Sequence, residues 1–116
     1  MKRFRLLAAA GGLTTVVLFA ACGGTPIEGT WTEPIPGMEG RQGFTLSADG
    51  SAVSVGMHTL LYDRWERRGD RLILQGRSLG NGQTIVFSDT LTIVRLSADS
   101  LVLRRGDGSE NRYGRE

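Results

Sequence analysis

Leu60-Leu61-Tyr62-Asp63-Arg64-Trp65-Glu66-Arg67, then Arg68-Gly69-Asp70, then Arg71-Leu72-Ile73-Leu74-Gln75, is the stretch on which the fold turns. Both outer runs interleave apolar with polar residues and read as period two, the spacing that puts one set of side chains on one face of a strand. The link between them carries a glycine and an aspartate, residues that supply the backbone freedom and self-hydrogen-bonding of a tight turn. The stretch reads as a β-hairpin.

Outward from this hairpin the same rhythm repeats. Gly29-Thr30-Trp31-Thr32-Glu33 is a short strand stopped by Pro34 and Pro36, which cannot donate ladder hydrogen bonds. Arg41 to Ser47 and Ser51 to Val55 flank Ala48-Asp49-Gly50, a second hairpin. Thr84 to Leu96 is long for one strand, and a bend or bulge is expected near Ser88-Asp89, where the alternation falters. Leu101 to Arg105 and Glu110 to Arg115 flank Gly106-Asp107-Gly108-Ser109. No run of ten or more residues has helical spacing. The expected architecture is all-β, a small antiparallel meander of about eight strands closed into a barrel, since closure removes the exposed edges of such a sheet. Leu46-Ser47-Ala48-Asp49 recurs as Leu96-Ser97-Ala98-Asp99, which reads as shared turn chemistry rather than a duplicated module.

The first residues have a different character. Lys2, Arg3 and Arg5 precede a run without charge from Leu6 to Ala21, which ends in Phe19-Ala20-Ala21-Cys22-Gly23. The run is short for a bilayer span of about 20 residues. It resembles the export leader of bacterial lipoproteins, which is cut before a cysteine that becomes the acylated first residue. The lone cysteine favours this over an ordinary cleaved leader or an uncleaved anchor, because one cysteine cannot pair within the chain. The expected organisation is a signal peptide over 1–21, a tether over 22–27, of which the five residues Cys22 to Pro26 reach at most ~18 Å from the lipid, and a barrel domain over 28–116. In lipoproteins of the kind this leader resembles, an aspartate after the cysteine goes with retention at the inner membrane, so with Gly23 there the resemblance implies the outer membrane, with the domain facing the periplasm.

Of the 14 basic residues the leader holds three and of the 12 acidic ones none, so the mature part carries 11 against 12. The basicity of the chain belongs to the leader, and charge gives no case for a nucleic-acid partner. The mature 95 residues suffice for one modest core and no second domain.

Gly29-Thr30-Trp31 on a first strand resembles the Gly-x-Trp signature of lipocalins. More closely, the chain is similar to a family of small bacterial lipocalin-like lipoproteins with two prominent tryptophans, here Trp31 and Trp65. The segments that carry the likeness are Gly29 to Gly37, Leu60 to Trp65 with Gly69-Asp70, and Gly80 to Thr84. The resemblance implies a carrier of a small hydrophobic or amphipathic ligand held between Trp31, Phe44 and Trp65. It also implies that the first-strand tryptophan closes one end of the barrel against a cation, for which Arg104, Arg112 and Arg115 are candidates. The mature chain is much shorter than classical lipocalins, which weighs against a roomy cavity. The alternative is a packed barrel that serves as a docking or structural module for another envelope component.

Chemical motifs add little to this. Gly76-Arg77-Ser78-Leu79-Gly80 matches a nucleophile elbow letter for letter, but an elbow requires a strand-to-helix turn in an α/β sheet, and the segment is expected to be a glycine-rich loop. His58, the one histidine, reads as an exposed loop residue without partners for a metal. The expectation is a binding protein rather than an enzyme, with no cofactor and no metal. Three polar positions stand apart. Leu61, Asp63 and Trp65 share parity, so an inward tryptophan brings Asp63 inward unless a bulge intervenes, and Asp89 and Arg95 share parity on the long strand. A buried charge must be paired, so Asp63 or Asp89 with Arg95 forms either a structural ion pair or the polar floor of a pocket.

Overall fold

The structure is a computed structural model that describes residues 24–116; Cys22, its tether neighbour Gly23 and the leader lie outside the described residues. Eight strands follow one another: β1 (Gly29–Pro34), β2 (Arg41–Leu46), β3 (Ala52–Val55), β4 (Leu60–Arg68), β5 (Arg71–Gly80), β6 (Gln83–Leu96), β7 (Ser100–Arg104) and β8 (Glu110–Arg115). They form one antiparallel sheet in the order β3-β2-β1-β8-β7-β6-β5-β4. The first and last strands are neighbours, with Trp31 opposite Arg115 and Thr32 opposite Gly114.

The seam between β3 and β4 almost closes the barrel. One bridge joins Ser51 to Arg64, and the Trp65 amide donates to the Gly50 carbonyl at 3.0 Å. Above it a side chain replaces the ladder: the Ser54 hydroxyl donates to the Leu60 carbonyl at 2.6 Å and accepts the Tyr62 amide at 2.8 Å. The Trp65 indole N–H completes the seam by donating to the Ser47 carbonyl at 2.7 Å.

Alternation delivers the core. Trp31, Phe44, Leu46, Leu72, Leu74, Leu101 and Leu103 are almost wholly buried, and Tyr62, Trp65, Ile93 and Leu96 pack against them. Ile27, which precedes β1 and falls in the expected tether, is also in this cluster. Thr32, the one buried polar side chain among the described residues, is satisfied. Its hydroxyl donates to a Glu116 carboxylate oxygen and accepts from Arg41 Nε, both at 2.7 Å.

Two bulges reset the parity of their strands. The β4–β5 register slips between Tyr62 and Arg64, so Asp63 has no partner and Leu60, Tyr62 and then Trp65 point inward. Gly76 lies opposite Tyr62 because a Cβ there would collide with the Leu61 carbonyl. The second slip falls between Ile93 and Arg95, beyond the Ser88-Asp89 expected from sequence. The pattern there falters for another reason: Ile85 and Val86 are 60% and 77% exposed, so apolar character does not mark the inner face.

The supposed glycine-rich loop is strand as well. Gly76 to Gly80 lies wholly within β5, and the turn is reduced to Asn81 and Gly82, with φ of 52° and 73°. These are the two left-handed positions of a type I′ turn, the form that matches strand twist. The repeated Leu-Ser-Ala-Asp also resolves into different devices. Asp49 accepts the Ser51 amide and hydroxyl, whereas at the second copy it is the Ser97 hydroxyl that accepts the Asp99 and Ser100 amides. The true twin of the Asp49 turn is Asp107 with Ser109.

Candidate functional site

One end of the barrel is shut. Trp31 is fully buried there, and its indole N–H donates to the Ile27 carbonyl at 2.8 Å. Of the three candidate cations, Arg115 takes the place over its ring, with Cζ 4.1 Å from the centroid. The same guanidinium donates to the carbonyls of Ala98, Glu28 and Pro26 at 2.8, 2.7 and 2.8 Å. A planar fork with five donors suits this task of tying three backbone segments together.

The other end, where β1–β2, β3–β4 and β7–β8 are joined, is open. A cavity of about 160 Å³ lies in this mouth, lined by Glu33, Gln42, Phe44, Met57, Tyr62, Arg105 and Tyr113 among others. Its floor is aromatic. Phe44 meets Tyr62 edge-on at 5.9 Å and Tyr113 at 5.1 Å, arrangements in which ring edges face ring clouds. Tyr62 extends the cluster to Phe87 at 6.0 Å.

The rim is polar and connected. The Glu33 carboxylate is half-buried and accepts from Asn111 Nδ2 at 3.3 Å and from Gln42 Nε2 at 3.4 Å. Arg105 Nε in turn donates to Asn111 Oδ1 at 2.9 Å. Burial pushes both tyrosine hydroxyls above their ordinary range, most of all Tyr113, with the Glu33 charge adding to the effect and Arg105 partly offsetting it. An apolar floor under a short charged rim fits an amphipathic molecule, with its apolar part on the rings and its polar group between Glu33 and Arg105.

A wider depression of about 450 Å³ lies along β4 to β6, lined by Asp63, Arg64, Gln75, Gly76 and Val86 to Ser88. It belongs to the wall rather than the interior and is open to solvent.

The residues singled out from sequence do not converge. Phe44 lines the mouth, Trp31 lies at the shut end, and Trp65 is half-buried beside the β2–β3 turn. The bulge turns Asp63 outward, where its carboxylate accepts from Arg77 Nε and Nη2, both at 3.1 Å. Arg95 follows the second bulge and is exposed. The inward pairing with Arg95 does not occur. Asp89 stays on the inner side, opposite Leu74 and half-buried. The mouth residues missed by sequence reasoning, Glu33, Tyr62, Arg105 and Tyr113, had one legible sign. Gly76 in the inward series Leu72, Leu74, Gly76 marks a close backbone approach, hence a bulge on the neighbouring strand.

Ser78 lies in mid-strand opposite Ile85, without the strand-to-helix turn that exposes a nucleophile. His58 is exposed, and among the described residues no group of three His, Cys, Asp or Glu side chains is placed to hold a metal.

A family model described as lipocalin-like matches residues 24–116. The chain is also similar to a crystal structure of a lipocalin-like protein from Bacteroides thetaiotaomicron, at 52% identity over 80% of this chain and 99% of that one, with a TM-score of 0.75. No curated protein matches it.

Proposed function

From the premise that the chain belongs to the lipocalin-like family, we propose that it is an outer-membrane lipoprotein whose barrel mouth binds a small hydrophobic or amphipathic ligand. The observation that carries the ligand reading is the mouth itself: an aromatic floor of Phe44, Tyr62 and Tyr113 under a rim of Glu33, Gln42 and Arg105. Its volume of about 160 Å³ is below the ~300–1,000 Å³ of drug-sized sites. The ligand is therefore small, or inserts one end and leaves the rest outside.

The anchor reading rests on Cys22 and the uncharged run before it. Acyl chains on that cysteine hold the barrel on the periplasmic leaflet, since each buried CH₂ contributes about 0.8 kcal/mol and two or more chains give stable attachment. Replacement by Cys22→Ser is expected to release the protein from the membrane fraction; unchanged attachment would remove the lipid from this account.

A second reading, a packed barrel that docks onto an envelope partner, draws on the core that fills the shut end and on the exposed Ile85 and Val86. Native mass spectrometry separates the two. Residues 22–116 carrying Cys22→Ser, purified without detergent from envelope extract, are expected to show a discrete added mass that disappears on delipidation and returns less readily in Phe44→Ala. A bare mass that takes up no hydrophobic probe sinks the ligand reading.

A further inference from the structure

β6 runs for 14 residues, but β7 accompanies it only from Thr92 to Leu96. Over Gln83 to Leu91 it has β5 on one side and, among the described residues, no strand on the other. We propose that this free edge pairs antiparallel with the same edge of a second copy of the chain, about a two-fold axis at Val86.

Backbone parity shows which groups are available. The two-residue turn makes Gly80 and Gln83 a hydrogen-bonded pair, so odd-numbered residues of β6 direct their N–H and C=O groups to β5. Ile93 keeps this parity, its amide donating to the Asp70 carbonyl at 2.6 Å. The groups of Thr84, Val86, Ser88 and Thr90 therefore point to the open side, and all four residues are exposed. Edges of this kind are usually blunted by Lys, Arg, Pro or an extra bulge. Gln83 to Leu91 contains no Lys, Arg or Pro, and Asp89 is its one charge.

The occupant follows from the chemistry of the edge, which reads alike in both directions from Val86. In antiparallel register about that residue, Val86 meets Val86 and Thr84 meets Ser88 as hydrogen-bonded pairs, exchanging about six backbone hydrogen bonds. On the inner face Ile85 of one copy meets Phe87 of the other, and Gln83 meets Asp89. Each pair is like with like, apolar on apolar and polar on polar, and no two aspartates oppose one another. Val86, the most exposed large hydrophobic residue among those described at 77%, sits on the axis, with Ile85 at 60% beside it. Moving the register two residues toward the turn's far side brings the partner's turn against Arg104, which already pairs with Thr92.

The test uses residues 22–116 carrying Cys22→Ser, a span that includes the whole barrel, in sedimentation velocity over a wide concentration range. The expected result is a mass that rises about twofold with concentration, as a closed isologous pair requires. Val86→Lys places like charges on the axis and leaves the barrel intact because the side chain is exposed, so this variant is expected to stay monomeric with an unchanged circular dichroism spectrum. Val86→Glu alone is expected to behave in the same way, and an equal mixture of the two to recover the dimer. A wild-type chain that remains monomeric throughout overturns the proposal, as does a dimer indifferent to Val86→Lys, or a monomer whose edge takes up only an unrelated extended peptide.

Discussion

Arg115 ties the shut end of the barrel together, and its replacement tests how. The guanidinium holds three carbonyls, of Pro26, Glu28 and Ala98, and lies 4.1 Å from the Trp31 ring centroid. In Arg115→Met the three carbonyls return to water, at about 0.5–1 kcal/mol each for partly exposed bonds, and the cation–π contact is lost, at about 0.5–1 kcal/mol. The sum is about 2–4 kcal/mol. For a domain of this size that lowers Tm by about 10–20 °C. Arg115→Lys separates the contributions, because an ammonium keeps the charge near the ring but cannot serve three divergent acceptors. It is expected to recover less than half of the loss in thermal or urea denaturation, with faster amide exchange around Thr30. Full recovery in Arg115→Lys, or a cost in Arg115→Met below about 1 kcal/mol, would refute the fork as the element that ties the N-terminal segment to the barrel.

Other expectations follow from the bulge, its ion pair and the mouth. Gly76→Ala forces a Cβ into the Leu61 carbonyl and is expected to destabilise by about 3 kcal/mol or more; a urea midpoint near wild type contradicts the close approach. Asp63→Asn removes an ion pair with Arg77 that both partners hold in solvent, with side chains 42% and 45% exposed, so its midpoint shift is expected to be smaller than that of Gly76→Ala and to vanish in high salt. The protein has two tyrosines, and both hydroxyls are raised above the ordinary value near 10 by burial. The native state thus binds more protons than the unfolded chain above pH 10, and stability, fully present below that pH, falls as pH rises through the alkaline range. Phenolate absorbance near 295 nm should rise together with unfolding; a tyrosine that titrates at about 10 in the folded protein counts against the buried mouth.

The all-β class, the order of the strands and the barrel were legible because they rest on local properties. Period-two alternation assigns faces strand by strand, and glycine and aspartate at 48–50 and 68–70 set turns that need no distant partner. Arg115 was legible only as one of three cations that the resemblance puts on the last two strands, because no single strand's sequence says which of them meets Trp31. Of the candidate site only Phe44 was legible. Parity alone puts Asp63 and Arg95 inward, but each sits at or just beyond a bulge that shifts parity by one residue and turns it outward. A bulge depends on how two strands meet, in this case on the room that Gly76 leaves for the Leu61 carbonyl, and one strand's sequence does not contain it. By itself the sequence determined the strands, their hairpins and the apolar set to be buried, because these are properties of neighbouring residues. Which end is shut, that Glu33, Tyr62, Arg105 and Tyr113 join Phe44 at the mouth, and that among the described residues β6 has no strand on its second side from Gln83 to Leu91, were set only by the tertiary structure, because these depend on the stagger with which the sheet curls into a barrel.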